Sequence, residues 1–503
     1  MSFSVSDCRA AGCIVPQFDV EAVRAATVSA PVWLHFGAGN IFRAFVAAAC
    51  QRAIDEGRAD RGIIVCESYD PEILEKVYRP YDNECIAVSL KSDGTIEKTL
   101  VSSIADSVRV DPCEEADWQR LRAYFTAPSL QMVSFTVTEK GYAVLRPEAD
   151  PMKPVSIMGR LAALLYARYT EGAAPLALVS MDNCSHNGDK LKIGVLAAAK
   201  AFGDEAFLGY LNEKVTFPLT MIDKITPRPD AGVHDMLLKD GFGDLPVFET
   251  EKHSFVAPFV NAEETEYLII EDRFPNGRPD LETCGFYMTD RETVDKVERM
   301  KVCTCLNPLH TFLAVYGCVL GYTTIHDEMD DPDLVRLITR LGYEEGLPVV
   351  TDPGILSPAD FLKTVLTVRL PNPFMPDTPQ RIATDTSQKL AIRFGVTVTE
   401  YADRASALNV VPLAYAGWLR YLLAETDDGT PFTLSPDPEL DAYADVIDAL
   451  RKTRSASAAK PLLSDKALFG ADLDACGLSE KVLTYLGEML KGPGSVRRLL
   501  ASL

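Results

Sequence analysis

Three polar groups in this sequence have the types and spacing to do chemistry. The first is Lys301-Val-Cys-Thr-Cys-Leu-Asn307-Pro-Leu-His310, a lysine, an asparagine and a histidine in an otherwise apolar stretch. Burial disfavours an ammonium ion, so a lysine held in such a run suits a general base near neutral pH. The plain alternative is a lysine whose head reaches solvent beside a hydrogen-bonded core histidine. The second group is Thr138-Glu139-Lys140-Gly141-Tyr142 together with Asp182-Asn183-Cys184-Ser185-His186-Asn187-Gly188. A carboxamide there can donate to an oxygen that gains negative charge in a reaction. Alternatively, Asn183 or Asn187 simply caps a helix beginning near Asp189. The third group is Gly37-Ala38-Gly39-Asn40-Ile41-Phe42-Arg43. Its glycines allow a tight turn that a pyrophosphate can approach, and the helix after it offers unpaired N–H groups. Phe42 and Arg43 stand near the place of the third glycine of a GxGxxG turn, and a glycine pair alone is also compatible with a purely structural turn.

These groups need elements to position them. Residues 31–36 (PVWLHF) form an apolar run, then come the glycine turn, a helix-like stretch to Gly57, and a second apolar run at 62–66. Strand, glycine turn, helix and strand open a parallel α/β sheet. Glu67 and Asp70 close the second strand, where a carboxylate can accept from the adenine ribose of NAD and repel the extra phosphate of NADP; the plain alternative for Glu67 is an ordinary solvated loop carboxylate. Residues 85–101 read as two strands joined by Ser92-Asp93-Gly94. Further strands are expected at 130–138 and 175–181, which puts the second polar group at carboxyl ends, where open α/β sheets bind ligands. Between those strands, SIMGRLAALLYARYTEG has helical periodicity. Past residue 290 nearly everything has helical period. The fold class expected is thus α/β plus all-α: an expanded Rossmann-type domain over 1–288 and a mainly helical domain over 289–503.

Composition narrows the function. The 503 residues carry 50 Lys+Arg against 72 Asp+Glu, a net charge of −22. Such a surface repels phosphate backbones and anionic lipid heads, so neither nucleic acid nor membrane is an expected partner. An anionic substrate needs a site that gathers positive charge. Twelve scattered cysteines without CxxC spacing read as reduced thiols of a cytoplasmic protein. With no HExxH and no Cys/His cluster, no bound metal is expected. The amino-terminal stretch lacks the basic start and apolar run of a signal peptide, and no run of 18 apolar residues occurs.

The blocks GAGNIFRAF, VTEKGY, DNCSHNG, MIDKITP, IIEDRFPNGRP, LNPLH and RIATDTSQK, in this order from about Val32 to about Arg393, resemble the polyol-specific long-chain dehydrogenase family. Its members act on mannitol, fructuronate or tagaturonate. The resemblance implies a metal-independent, NAD-linked oxidoreductase with its site in the cleft between a Rossmann domain and a helical domain. It implies Lys301 as catalytic base, with Asn183 and Asn307 as an oxyanion hole. His310 would orient a substrate hydroxyl, and Glu298 would pass the proton to solvent. Asp223, Arg381 and Lys389 match substrate-contacting positions, and Asn187 joins them here. Gly37, Gly39, Asn40, Ile41, Phe42, Arg43, Glu67, Thr138 and Glu139 would meet the cofactor. The family includes monomers and small homo-oligomers.

One departure has a structural consequence. The family has five steps from lysine to asparagine, whereas Lys301 to Asn307 is six. On a regular helix each residue turns about 100°, so the extra residue would rotate Lys301 off the face it shares with Asn307. A bulge or broken turn between them is therefore expected. The expected reaction is reduction of D-fructuronate to D-mannonate by NADH. Mannitol oxidation and tagaturonate reduction are the alternatives, and a non-catalytic nucleotide-binding sensor is the alternative outside enzymes.

Overall fold

The computed structural model describes residues 3–144 and 148–503. The chain packs as two units, Met1–Asp295 and Lys296–Leu503.

In the first unit six parallel strands form the central sheet: β1 (Trp33–Phe36), β2 (Ile63–Glu67), β3 (Ile104–Arg109), β4 (Met132–Phe135), β5 (Leu176–Ser180) and β6 (Val215–Thr216). Their spatial order is β3-β2-β1-β4-β5-β6, that of a dinucleotide-binding sheet. All residues of β1, β2, β4 and β5 are buried, which is why they read as unbroken apolar runs. Helix Ile157–Thr170 crosses from β4 to β5, where the periodicity places it. Its Arg168 is buried and donates to five carbonyls, including those of Phe125 and Leu130, tying the helix to the sheet's rim.

Residues 85–101 do form a hairpin, Cys85–Leu90 against Ile96–Val101, with Gly94 in the left-handed region at φ 83°. A parallel strand, Phe259–Glu263, joins it from the stretch 218–288. That stretch also supplies Thr220–Asp223, antiparallel to Tyr267–Glu271. Strands β3 and β6 are not apparent in the sequence. β3 (IADSVR) has neither an unbroken apolar run nor strict alternation, and β6 is two residues long.

The second unit is helical. Its centre is the helix Asn307–Leu320, packed on Val410–Tyr421, which in turn meets Ser479–Met489. The helical stretch Arg291–Leu320, interrupted at Leu306, is long and apolar enough to cross a membrane, but 83% of its most apolar window is buried inside the protein, as in a core helix.

Candidate functional site

The glycine turn is built for close approach. Gly37 has φ 115°, and a Cβ there would lie 2.3 Å from the Thr136 carbonyl oxygen, so no other residue fits without moving β4. At Gly39 a Cβ would meet nothing within 4 Å, leaving an open approach to the backbone. Helical structure begins at Asn40. A tight turn, an open glycine and a helix N-terminus at the carboxyl end of β1 fit a dinucleotide pyrophosphate.

The side chains of Phe42 and Arg43 face inward, so any contact these two make with a cofactor comes from their backbone. Phe42 is fully buried and stacks on the His35 ring, centroids 4.3 Å apart. Arg43 is 1% exposed; it donates to the Ala257 carbonyl at 2.6 Å and to Asn40 Oδ1 at 2.8 Å. Both residues lie in a π-turn, Phe42–Ala47, that leads into the helix Ala48–Asp55. His35 bridges the Ser134 and Thr136 hydroxyls, and burial pushes its pKa down to about 3, so it is a neutral core histidine.

Glu67 is held by the protein's own backbone. Its carboxylate accepts from the Ala38 amide at 2.7 Å, the Tyr69 amide at 2.7 Å and the Asp70 amide at 3.0 Å. It thus ties the glycine turn to the loop after β2 and has little capacity left for a ribose. Its negative charge still sits beside the turn. Asp70 is buried and accepts from the Thr250 hydroxyl at 2.6 Å.

The loops after β4 and β5 are joined by Asp182, which the sequence motif contained but did not single out. Its carboxylate accepts from the Val137 and Thr138 amides at 3.1 and 2.9 Å and from the Tyr142 hydroxyl. Burial raises its pKa, and these bonds oppose the rise. They hold Thr138 at φ 65°, a conformation costly for a β-branched residue and of the kind that collects at binding sites. Glu139 is exposed and ion-paired with Lys190 at 2.6 Å.

Neither asparagine of the next loop caps the helix. Asn187 is the first residue of helix Asn187–Ala199, and His186 stands at the cap position without a capping bond. Asn187 is fully buried: its amide donates to the Asp182 carbonyl and to Thr220, and its oxygen accepts from the Gly188 and Thr220 amides. With donors and acceptor all satisfied inside the chain, Asn187 clamps β5 to the strand Thr220–Asp223 and has nothing left for substrate. That corrects its expected role. Asn183 is exposed, and Asp223 is buried at its strand's end.

In the second unit the expected irregularity is present. Helix Arg291–Met300 passes into a π-turn, Lys301–Cys305; Leu306 breaks the helix at φ −126°, and Asn307 starts the next one. Pro308 sits in the first turn, where its missing N–H costs nothing. Lys301 is 5% exposed, and Glu298 lies half-buried one turn earlier.

Beyond His310 lies a concentration of positive charge. The His310 Nε2 is 3.6 Å from Asp377 Oδ2. Burial, then Arg369, Arg393, Arg381 and Lys389, push the imidazole pKa down to about 3. Arg381 is ion-paired with Asp377, and Lys389 Nζ donates to the Thr384 carbonyl. Arg369, Arg393 and Asp377 were missed in the sequence, although a spacing signal exists: Asp377 precedes Arg381 by four residues and Arg393 follows Lys389 by four. Lys301, Arg369 and Arg393 each lie on a π-turn (Lys301–Cys305, Val365–Arg369 and Ala391–Gly395), and the first and third pack together. Such turns recur where a backbone re-aims functional side chains.

The arrangement has counterparts among known proteins. The model of the mannitol dehydrogenase Rossmann domain matches residues 32–283, and that of the mannitol dehydrogenase C-terminal domain matches 293–490. A D-mannonate oxidoreductase of Thermotoga maritima is 46% identical, over 96% of this chain and 94% of its own. A D-sorbitol dehydrogenase structure aligns with a TM-score of 0.80 at 23% identity, covering 96% of this chain and 97% of that one. The Pseudomonas fluorescens mannitol 2-dehydrogenase structure, with NAD and D-mannitol, aligns with a TM-score of 0.70 at 23% identity, covering 100% and 99%. These structural likenesses establish the fold; the two domain models, with the 46% identical relative, establish descent. The chain is an oxidoreductase of the mannitol dehydrogenase family.

Proposed function

We propose that this protein interconverts D-fructuronate and D-mannonate with NADH and NAD, without a metal, as a cytoplasmic monomer or small homo-oligomer. One observation carries the choice of a sugar acid: a chain of net charge −22 gathers four basic side chains around His310. Arg369 and Arg393 add to the Arg381 and Lys389 positions that the family shares, and together they offer a carboxylate the positive field that the rest of the chain lacks. The relationship to a D-mannonate oxidoreductase supports the same choice.

NAD supplies hydride transfer at the reacting carbon when bound. The turn at Gly37 and Gly39 and the helix N-terminus at Asn40 hold its pyrophosphate, and the charge of Glu67 disfavours a ribose phosphate. Lys301 gives a proton to the ketone oxygen in reduction and takes it back in oxidation. Asn307 and Asn183 donate to that oxygen as it becomes negative. Glu298, three residues before Lys301, relays the proton to solvent. His310 orients a neighbouring hydroxyl and Asp223 contacts substrate.

The test is loss of NADH absorbance with fructuronate, fructose and tagaturonate in parallel. Fructuronate is expected to give the highest kcat/KM. A preference for fructose or tagaturonate reassigns the substrate, and activity on none removes the enzymatic reading.

A further inference from the structure

Among the basic side chains near His310, Arg381 and Lys389 are the two that family resemblance assigns to substrate. Each already has an acceptor of its own, the Asp377 carboxylate and the Thr384 carbonyl. Arg393 differs. It is half-buried, its one hydrogen bond goes to the Thr311 hydroxyl, and among the described residues no carboxylate lies within 4 Å of it. Thr311 in turn donates to the Asn307 carbonyl at 2.8 Å, so Arg393 is joined by two hydrogen bonds to the backbone of the proposed oxyanion-binding residue. Desolvation alone brings the guanidinium down to about 10, with no neighbouring anion restoring it.

A half-buried, uncompensated guanidinium is costly in a folded protein. It persists where something from outside completes it. Guanidinium presents a planar fork of donors that matches a carboxylate with two parallel bonds, and Arg393 has one nitrogen engaged with Thr311 and the rest of its fork uncommitted. The π-turn Ala391–Gly395 that carries Arg393 packs against the π-turn that carries Lys301, which puts the anion anchor and the proton donor on adjoining segments of one unit.

We propose that Arg393 is the carboxylate anchor of this enzyme, the side chain that selects a sugar acid over a neutral polyol by receiving the acid end of the substrate. This assignment rests on the fructuronate reading above and names the residue that enforces it.

The test compares wild type, Arg393→Gln and Arg393→Lys on fructuronate and on fructose, with thermal melts to verify folding. Arg393→Gln is expected to raise the KM for fructuronate by 100-fold or more, with kcat reduced less than fivefold and fructose kinetics within threefold of wild type. Arg393→Lys keeps the charge without the fork and should fall between. Equal loss on both ketones, or no loss on fructuronate, overturns the anchor while the fructuronate reading stands. A folded wild type that is inert on fructuronate overturns that reading and the anchor with it. Should Arg393→Gln not fold, the same ratio is read from Arg393→Lys, where an unchanged preference for fructuronate over fructose overturns the proposal.

Discussion

The amide of Leu306 donates to the carbonyl of Lys301 at 3.1 Å, five residues back along the chain. That single π-type bond takes up the extra residue between Lys301 and Asn307. Deleting Thr304 should convert the turn to a regular α-helix and rotate Lys301 by about 100° relative to Asn307. Turnover should then fall by about 10²- to 10⁴-fold, the range for losing a general acid–base. Lys301→Ala should lose as much, while NADH binding, read by fluorescence, stays within twofold of wild type. A deletion variant with wild-type turnover would show that the bulge has no part in placing the lysine.

His310 should take no part in proton transfer. With its pKa pushed down to about 3, by burial and then by four neighbouring cations, it is a neutral imidazole throughout the range from pH 5 to 9. The pH dependence of kcat/KM should therefore show no limb near 6.5. His310→Asn should weaken substrate binding, raising KM tenfold or more, without moving the limbs that remain. A limb near 6.5 that disappears in His310→Asn contradicts this.

Glu67 joins three backbone amides from two loops. Replacing it by alanine leaves buried donors unpaired, at a cost of about 1–3 kcal/mol for each group not rescued by water. Glu67→Ala should lower the melting temperature and raise KM for NADH at least tenfold. It should also narrow the preference for NADH over NADPH, because the repelling charge is gone. Unchanged KM and unchanged preference would mean that the turn keeps its shape without this carboxylate.

Glu328 makes stability depend on pH. It is fully buried on the short helix Ile325–Glu328, and neither carboxyl oxygen has a hydrogen-bond partner among the described residues. Burial, then Asp331 and Asp327, raise its pKa well above the ordinary value. The folded protein therefore holds a proton that the unfolded chain releases above about pH 4.3. Stability from this group is complete below that pH and is lost as pH rises toward the folded pKa, by at most about 1.4 kcal/mol per pH unit. Glu328→Gln cannot ionise, so its stability relative to wild type, from urea melts at pH 5 through 8, should improve steadily with pH. Parallel curves would show that the carboxyl finds a partner the structure does not hold.

Local order was legible in the sequence. The run Trp33–Phe36 followed by Gly37 and Gly39, the hairpin about Gly94, and the helix Ile157–Thr170 each depend on neighbours a few residues apart. Apolar periodicity and glycine conformation therefore reveal them directly. The irregular turn at Lys301 was also readable, because one residue too many on a helix must be absorbed nearby. The site's wiring was not. Glu67 meets Ala38 from 29 residues away, Asn187 meets Thr220 from 33, and Arg393 meets Thr311 from 82. A polar side chain has the same letter whether it binds a ligand or the protein's own backbone. Only the folded chain decides which of its hydrogen-bonding groups are already satisfied, and so Asn187 proves to be a clamp while Arg393 remains able to receive an anion.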